Sequence, residues 1–291
     1  MPSQLTRSAV SAQVEWLRQV PERVGSQRLP TGSSALFTGC GTSFHAALAC
    51  GPAAQALEVL LGNAPDADVL VAISHEGGTR LTREAVESFA GETWLVTGAS
   101  ESPLAQAVDH VVVATPQLEK SYCHTASYTC AIAAGRALRG EDVSGLAAAV
   151  QRELDAEPLG ASEHDRFVVA GAGGDDATVL EAVLKLREGA HVAAEAHHTE
   201  QLLHGHLAAI DSAVRCFLLE GAGRAADRAR DAERALVALG CDVTVRATTH
   251  PVVDIVRFQR LAVDLADARD VDADLIRWDE EPWDRARKSY S

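Results

Sequence analysis

A short apolar run that ends in a glycine turn and leads into a helix occurs at corresponding places in the two halves of this chain. Ala35-Leu-Phe-Thr-Gly-Cys-Gly is the first such run, and Asp165-Arg-Phe-Val-Val-Ala-Gly-Ala-Gly-Gly is the second. Neither run alternates apolar with polar residues, which is typical of parallel strands that helices cover on both faces. The repeated pattern predicts an α/β chain with two doubly wound, flavodoxin-like domains, at residues 1–150 and 151–291.

The spacing of apolar residues along the chain predicts the remaining elements. In the first half, helices are predicted over residues 8–24, 43–61, 79–90, 102–107 and 121–139, with strands near 68–74, 93–98 and 110–114. In the second half, helices are predicted over residues 144–157, 176–190, 224–239 and 253–268, with strands at 213–219 and 242–247. Ligands of such sheets bind at the carboxyl ends of the strands, where both halves carry their glycines.

Charge and composition exclude several classes of partner. The formal net charge of −15 and the pI near 5.1 argue against nucleic acid, because a polyanion needs a basic face. No apolar run approaches the roughly 20 residues of a membrane span, and the first residues lack the apolar core of a secretion signal. The six cysteines form no CxxC pair. We therefore expect a cytoplasmic protein without a cofactor, whose partner is a small molecule.

Two turns of the first half place hydroxyl groups at the start of a predicted helix. Backbone N–H groups and the helix dipole at such a turn favour an anion such as phosphate. The alternative is that the hydroxyl residues only cap their helices, but two such turns on neighbouring strands favour a ligand. The candidate binding residues are Cys40, Gly41, Thr42 and Ser43 after the first strand, and Ser74, His75, Glu76 and Thr79 after the second.

These motifs resemble the sugar isomerase (SIS) domain family. Gly-Cys-Gly-Thr-Ser after one strand and Ser-x-x-Gly-x-Thr after the next are similar to that family's ligand turns. Further segments resemble the isomerase part of glucosamine-6-phosphate synthases, whose glutaminase domain has no counterpart in this sequence. Those segments are Glu119–Thr129, Leu180–Glu188, His204-Gly205 and Arg287–Ser289. The resemblance covers most of the chain in the same order, and it implies a tandem pair of SIS domains.

The resemblance also implies roles for individual residues. Glu188 corresponds to the base that moves a proton between C1 and C2, with Glu181 and Lys185 positioning the substrate and tuning the pKa of the base. His204 corresponds to the residue that opens the sugar ring, in a loop that completes the active site of a neighbouring subunit, so a homodimer is implied. Lys288 corresponds to a tail lysine that forms a Schiff base with the open-chain carbonyl.

The residues alone leave other interpretations open. Glu181, Lys185 and Glu188 share one helix face, which for an arbitrary helix is a solvated, salt-bridged surface. Four histidines and two glutamates within residues 195–206 could supply metal ligands, but they lack a His-x-x-x-His pair on a helix. We predict no metal there, with His197 and His198 near the substrate.

Two residues depart from the family pattern. Glu76 places a carboxylate where phosphate oxygens would lie, and His124 replaces a small hydroxyl residue, which implies a reshaped pocket. Three explanations of Glu76 stay open at this point: it pairs with Arg80 and turns outward, it holds hydroxyls or an amine of an unphosphorylated substrate, or the site has lost its activity.

The function that we expect is isomerisation of a sugar, sugar phosphate or amino sugar by aldose–ketose proton transfer. One alternative is a deglycase that cleaves a ketoamine, as some two-domain SIS proteins do. Another is a sugar-binding regulator that kept the fold and lost the chemistry.

Overall fold

The first half of the chain builds a parallel sheet of five strands. The structure is a computed structural model that describes residues 2–290. The strand order is β2-β1-β3-β4-β5, and all four pairings are parallel. β2 is added on one side of β1, and β3, β4 and β5 are added on the other side. Doubly wound sheets bind ligands at the point where this direction of winding changes, which here lies between β1 and β3. The strands are β1 (Ala35–Gly39), β2 (Ala53–Gln55), β3 (Val69–Ile73), β4 (Glu92–Thr97) and β5 (His110–Val113).

The second half repeats this arrangement with four strands in the order β7-β6-β8-β9, again all parallel. The prediction of two doubly wound parallel sheets flanked by helices is therefore confirmed. The boundary predicted near residue 150 stays a prediction. The strands of the second sheet are β6 (Arg166–Gly171), β7 (Ala193–His198), β8 (Val214–Glu220) and β9 (Asp242–Ala247).

Helices cover both sheets. The first six are α1 (Gln4–Val24), α2 (Thr42–Cys50), α3 (Ala56–Leu60), α4 (Arg80–Ser88), α5 (Ala126–Leu138) and α6 (Leu146–Asp155). The others are α7 (Asp176–Ala190), α8 (Thr199–Leu203), α9 (Arg224–Ala238), α10 (Pro251–Asp254), α11 (Val256–Ala268) and α12 (Glu281–Lys288). Within residues 2–290, no helix is both long and apolar enough to cross a membrane.

Several local predictions were wrong or incomplete. The helix predicted over residues 121–139 begins only at Ala126. The helix predicted over residues 43–61 is interrupted by the edge strand β2, because Gly51-Pro52 ends α2 after nine residues. Residues 102–107 form turns and not a helix. The edge strand β7 was not predicted, because Ala193–His198 is polar and partly exposed and lacks an apolar run.

One large apolar core joins the two halves. It contains Phe37 of β1, Tyr128 of α5, Phe217 of β8 and Phe258 of α11, each at most 2% exposed. Helices α2 and α7 pack against each other within it. The carboxyl ends of the strands of the first sheet therefore face the side chains of a helix from the second half.

The last segment of the chain is fixed to its first helix. The buried Asp274 carboxylate accepts hydrogen bonds from the backbone N–H groups of Leu5 and Thr6 and from the Thr6 hydroxyl, at 2.7–2.9 Å. The Thr6 hydroxyl also lies 2.6 Å from that of Ser121. A carboxylate at a helix N-terminus satisfies free N–H groups and the helix dipole. The contact brings the residues after Asp274 beside residues 121 and 122 of the first half.

Candidate active site

A cavity of about 550 Å³ lies at the carboxyl ends of β1 and β3, where the strand order reverses. This volume is within the range of small-molecule sites in proteins. Nine of the predicted site residues line it: Cys40, Thr42, Ser43, Ser74, His75, Glu76, Thr79, His124 and Glu188. The first eight come from the first half and Glu188 comes from α7, so the cavity combines both halves.

Glycines let the two turns approach their neighbours. A side chain at Gly39 would come within 2.8–3.0 Å of the Ser43 backbone and the Ile73 carbonyl, so only glycine allows β1 to turn so tightly into α2. Gly77 has a φ of +66°, and a Cβ there would lie 2.0 Å from the Ser102 hydroxyl. These close contacts fix both turns at the edge of the cavity.

A buried ionic network connects the first turn to α7. Glu181 and Lys185 are fully buried, and the Lys185 ammonium lies 3.3 Å from Glu181 Oε1. Thr42 joins them from the other half, because its hydroxyl donates to Glu181 Oε1 and accepts from Lys185 Nζ, both at 3.2 Å. His45 Nδ1 lies 2.7 Å from Glu181 Oε2, and the Cys123 carbonyl accepts from Lys185 at 3.1 Å.

Glu188 is the charged member of this network that reaches the cavity. Its carboxylate accepts a hydrogen bond from Lys185 Nζ at 2.7 Å, and 23% of its side chain is exposed. The spacing of Glu181, Lys185 and Glu188 on α7 therefore produces a buried pair with one carboxylate at the cavity, and not a solvated helix face. Lys185 holds the Glu188 carboxylate in place from behind the cavity wall.

The network separates the proton affinities of its two carboxyl groups. Burial raises the pKa of Glu188, and this outweighs the opposing effect of the Lys185 ammonium. Burial also acts to raise the pKa of Glu181, but Lys185 and His45 together lower it below its usual value. The two carboxylates raise the pKa of Lys185 despite its burial. The arrangement therefore holds a charged Lys185–Glu181 pair beside a carboxyl group that is able to exchange a proton.

Two histidines form another part of the cavity wall. The rings of His75 and His124 meet edge to face with centroids 5.3 Å apart. Burial lowers the pKa of His124 to about 4 and lowers that of His75 as well, so both rings are neutral near pH 7. His75 Nε2 accepts a hydrogen bond from the Glu119 backbone N–H at 2.8 Å. The Glu119 carboxylate in turn accepts bonds from residues 125 and 127 at the start of α5.

Glu76 is exposed and lines the cavity. The first explanation of this residue, an outward-turned pair with Arg80, is not what the structure shows. The Arg80 guanidinium lies 3.5 Å from Glu84 on α4.

Besides His197 and His198, five predicted residues lie away from the cavity lining. Gly41, with a φ of +56°, precedes α2, and Glu181 and Lys185 are buried behind the wall. His204 is 68% exposed and pairs with Glu200 at 2.8 Å. Lys288 is equally exposed and pairs with Asp284 at 2.6 Å. The roles implied for His204 and Lys288 stay predictions.

The C-terminal segment supplies cavity residues that the sequence analysis missed. The Trp278 ring packs against the Tyr122 ring with centroids 4.3 Å apart, and Ile276, Arg287 and Tyr290 also line the cavity. The Arg287 guanidinium lies over Trp278 and pairs with Asp284 at 2.8 Å. The available signal was the presence of Trp278, Trp283 and Tyr290 in an otherwise charged tail.

The histidine-rich segment 195–206 is not arranged as a metal site. His197 pairs with Glu195 and its ring contacts that of His206 at a tilt of 48°, while His198 caps α8. Within the described part of the chain, no group of three or more His, Cys, Asp or Glu side chains is placed to hold a metal ion.

The fold is similar to those of several solved structures. Glucosamine-6-phosphate deaminase from Thermotoga maritima is 21% identical with a TM-score of 0.74, over 94% of this chain and 97% of that one. The C-terminal domain of glucosamine-fructose-6-phosphate aminotransferase from Francisella tularensis is 18% identical with a TM-score of 0.79, over 93% and 98%. Tagatose-6-phosphate ketose/aldose isomerase from Escherichia coli is 15% identical with a TM-score of 0.76, over 94% and 97%.

No protein-family model matches the chain, and no curated protein sequence matches it. At identities of 15–21%, the solved structures show a shared fold over nearly the whole chain.

Proposed function

We propose that this chain is an isomerase that acts on a sugar or amino sugar, with Glu188 as the base that moves a proton between C1 and C2. The observation that carries the proposal is the position of the Glu188 carboxylate. It lies at the cavity with a raised pKa, 2.7 Å from a buried lysine that fixes its orientation. A carboxylate that is partly desolvated and held in this way is suited to general-base catalysis near neutral pH.

The solved structures support the same class of chemistry. The proteins of similar structure include a ketose/aldose isomerase and a glucosamine-6-phosphate deaminase. Ketose–aldose conversion and the removal of an amino group at C2 both need a proton to move at the carbons next to a carbonyl. Glu188 supplies a group for that transfer, whichever sugar is bound.

The reaction needs two proton transfers at carbon and two at oxygen. The Glu188 carboxylate removes the proton from C2 of the open-chain aldose, the C–H electron pair forms a C1–C2 double bond, and the aldehyde oxygen takes up a proton. The resulting enediol then receives the proton at C1 from Glu188, while the O2 hydroxyl loses its proton and becomes the ketone. Lys185 keeps the Glu188 carboxylate in place through both transfers.

Proton exchange with solvent tests this proposal. The protein is incubated in D2O with aldoses and 2-amino sugars, with and without a 6-phosphate, and deuterium at C2 is measured by NMR. We expect at least one sugar to gain deuterium at C2 at a rate proportional to enzyme concentration. If none does, the isomerase proposal fails and a sugar-binding regulator is the better interpretation.

We further propose a homodimer in which His204 of one chain opens the sugar ring in the cavity of the other. His204 is exposed and lies outside the cavity of its own chain, as such an arrangement requires. Lys288 would have to leave Asp284 to reach an open-chain carbonyl, and the proton transfer does not depend on it.

Dimers that combine two different variants, called mixed dimers, test the shared site. Glu188→Gln and His204→Ala chains are each predicted to be inactive as homodimers on a cyclic sugar. When the two are co-expressed with different tags, half of the dimers are mixed and each holds one intact site, so activity should recover to about a quarter of wild type. Light scattering of each purified variant checks that it is dimeric. A monomeric chain, or no recovery in isolated mixed dimers, would contradict the arrangement.

A further inference from the structure

We propose that the cavity binds a sugar whose end remote from the reacting carbons carries a hydroxyl or an ammonium group and not a phosphate, with Glu76 as the residue that selects it. This inference rests on the proposed function and names its substrate class. Four features of the cavity carry it.

The first feature is the charge of the turn after β3. Glu76 lies in the middle of the Ser74–Thr79 turn and lines the cavity, and Arg80, the nearest arginine in sequence, pairs with Glu84. The carboxylate therefore lies at the cavity, while both arginines of α4 pair with glutamates of that helix. Such a group repels a phosphate and accepts hydrogen bonds from a hydroxyl or an ammonium group.

The second feature is the scarcity of positive charge around the cavity. Among residues 2–290, Arg287 is the only Lys or Arg side chain that lines the cavity. Its guanidinium is already paired with Asp284 and lies over Trp278. Lys185, the other cation close by, is fully buried between two carboxylates. A phosphate would therefore meet more carboxylate than cation in this cavity.

The third feature is a pair of buried hydroxyls that line the cavity. Thr115 Oγ1 and the Tyr128 hydroxyl belong to side chains that are 1% exposed, and within the described residues neither has a hydrogen-bond partner. Buried polar groups are usually satisfied, so an unpartnered hydroxyl in a cavity wall indicates where a ligand binds. Hydroxyls that both donate and accept suit the hydroxyl groups of an uncharged sugar.

The fourth feature is the neutral and aromatic character of the rest of the wall. His75 already accepts a backbone hydrogen bond at Nε2, and it lies against His124, so this pair does not supply a cation. Tyr122 and Trp278 present adjoining rings. Aromatic rings pack against the apolar faces of sugar rings and do not attract phosphate.

Three sugars that differ only at C6 test the inference: D-glucose, 6-amino-6-deoxy-D-glucose and D-glucose 6-phosphate. C2 exchange in D2O gives kcat/KM for each with the full-length protein. We expect kcat/KM for D-glucose 6-phosphate to be at least about tenfold lower than for the other two sugars. Glu76→Gln should raise kcat/KM for the sugar phosphate and lower it for the amino sugar, and the value for glucose should change least. Glu157→Gln changes an exposed carboxylate that does not line the cavity, so it is the matched control and should leave all three ratios unchanged.

The inference is overturned if the phosphate is the best of the three in the wild type, or if Glu76→Gln leaves the ratios unchanged. Calorimetric titration of the same three sugars keeps the two proposals distinguishable. If no sugar exchanges at C2, the proposed function fails, whereas the order of the three binding affinities still tests the selection at Glu76.

Discussion

Exchange of the C2 proton is expected to slow by about 10²- to 10⁴-fold when Glu188 is replaced with glutamine. The amide has nearly the shape of the carboxylate and still contacts Lys185, but it cannot accept a proton from carbon. Because the side chain is partly exposed at the cavity, the loss of its charge should disturb the fold little. The effect is therefore expected in kcat, while the affinity for the sugar changes by a smaller factor.

Two further variants control this experiment. Glu188→Asp keeps the carboxylate but withdraws it by one methylene, so it should keep more activity than the glutamine variant. Glu157→Gln changes an exposed carboxylate that does not line the cavity, so this variant should exchange as fast as wild type. Wild-type exchange in Glu188→Gln would exclude this residue as the base.

The pH profile gives an independent check on Glu188. Only the deprotonated carboxylate accepts a proton, so kcat/KM falls as the pH is lowered through the pKa of this group. Burial raises that pKa above its ordinary value, and the acid limb should therefore lie above pH 4.5. The limb should be absent from the residual activity of Glu188→Gln.

The elements that carry apolar runs were predictable from the sequence. β1, β3 and β6 are buried over nearly their whole length, and α7 keeps the predicted bounds, so the shared face of Glu181, Lys185 and Glu188 followed from helical spacing. The edge strands β2 and β7 were not, because β2 has only three residues and β7 is polar and partly exposed. The edge strands β5 and β9 carry valines and were predicted.

The composition of the cavity was predictable only where it depends on local sequence. The two glycine turns bring together residues close in the chain. Trp278 and Arg287 reach the cavity because Asp274 binds the start of α1, a contact between residues 268 positions apart. His45 was missed for the same reason, since its partner Glu181 lies in the other half.

Replacing Lys185 with methionine is expected to lower the free energy of unfolding by about 3–5 kcal/mol at pH 7. Lys185 is one of three lysines in the chain and is fully buried. Methionine fills much of the same space but leaves the buried Glu181 with His45 and Thr42 as its remaining partners. A buried carboxylate without its cation must either remain charged at high cost or take up a proton.

Equilibrium unfolding in urea measures this loss, with Lys120→Met as the matched control. Lys120 is exposed, so its replacement should change the stability by no more than about 0.5 kcal/mol. In the Lys185→Met protein, the pKa of Glu181 should rise above its unfolded value. The contribution of Glu181 to stability is then greatest at low pH and is lost as the pH rises. The difference in the free energy of unfolding between wild type and the variant should therefore widen between pH 4.5 and 7.

The double variant Glu181→Gln/Lys185→Met separates the cost of an unpaired charge from the loss of packing. Removing both charges leaves no uncompensated carboxylate at position 181, so the double variant should be more stable than Lys185→Met alone. Its activity should stay low, because Glu188 would still lack the ammonium that holds it at 2.7 Å. If the double variant were less stable than the single one, the loss in Lys185→Met would come from packing and not from charge. Stability regained without activity would instead show that the buried ion pair is retained to orient the base.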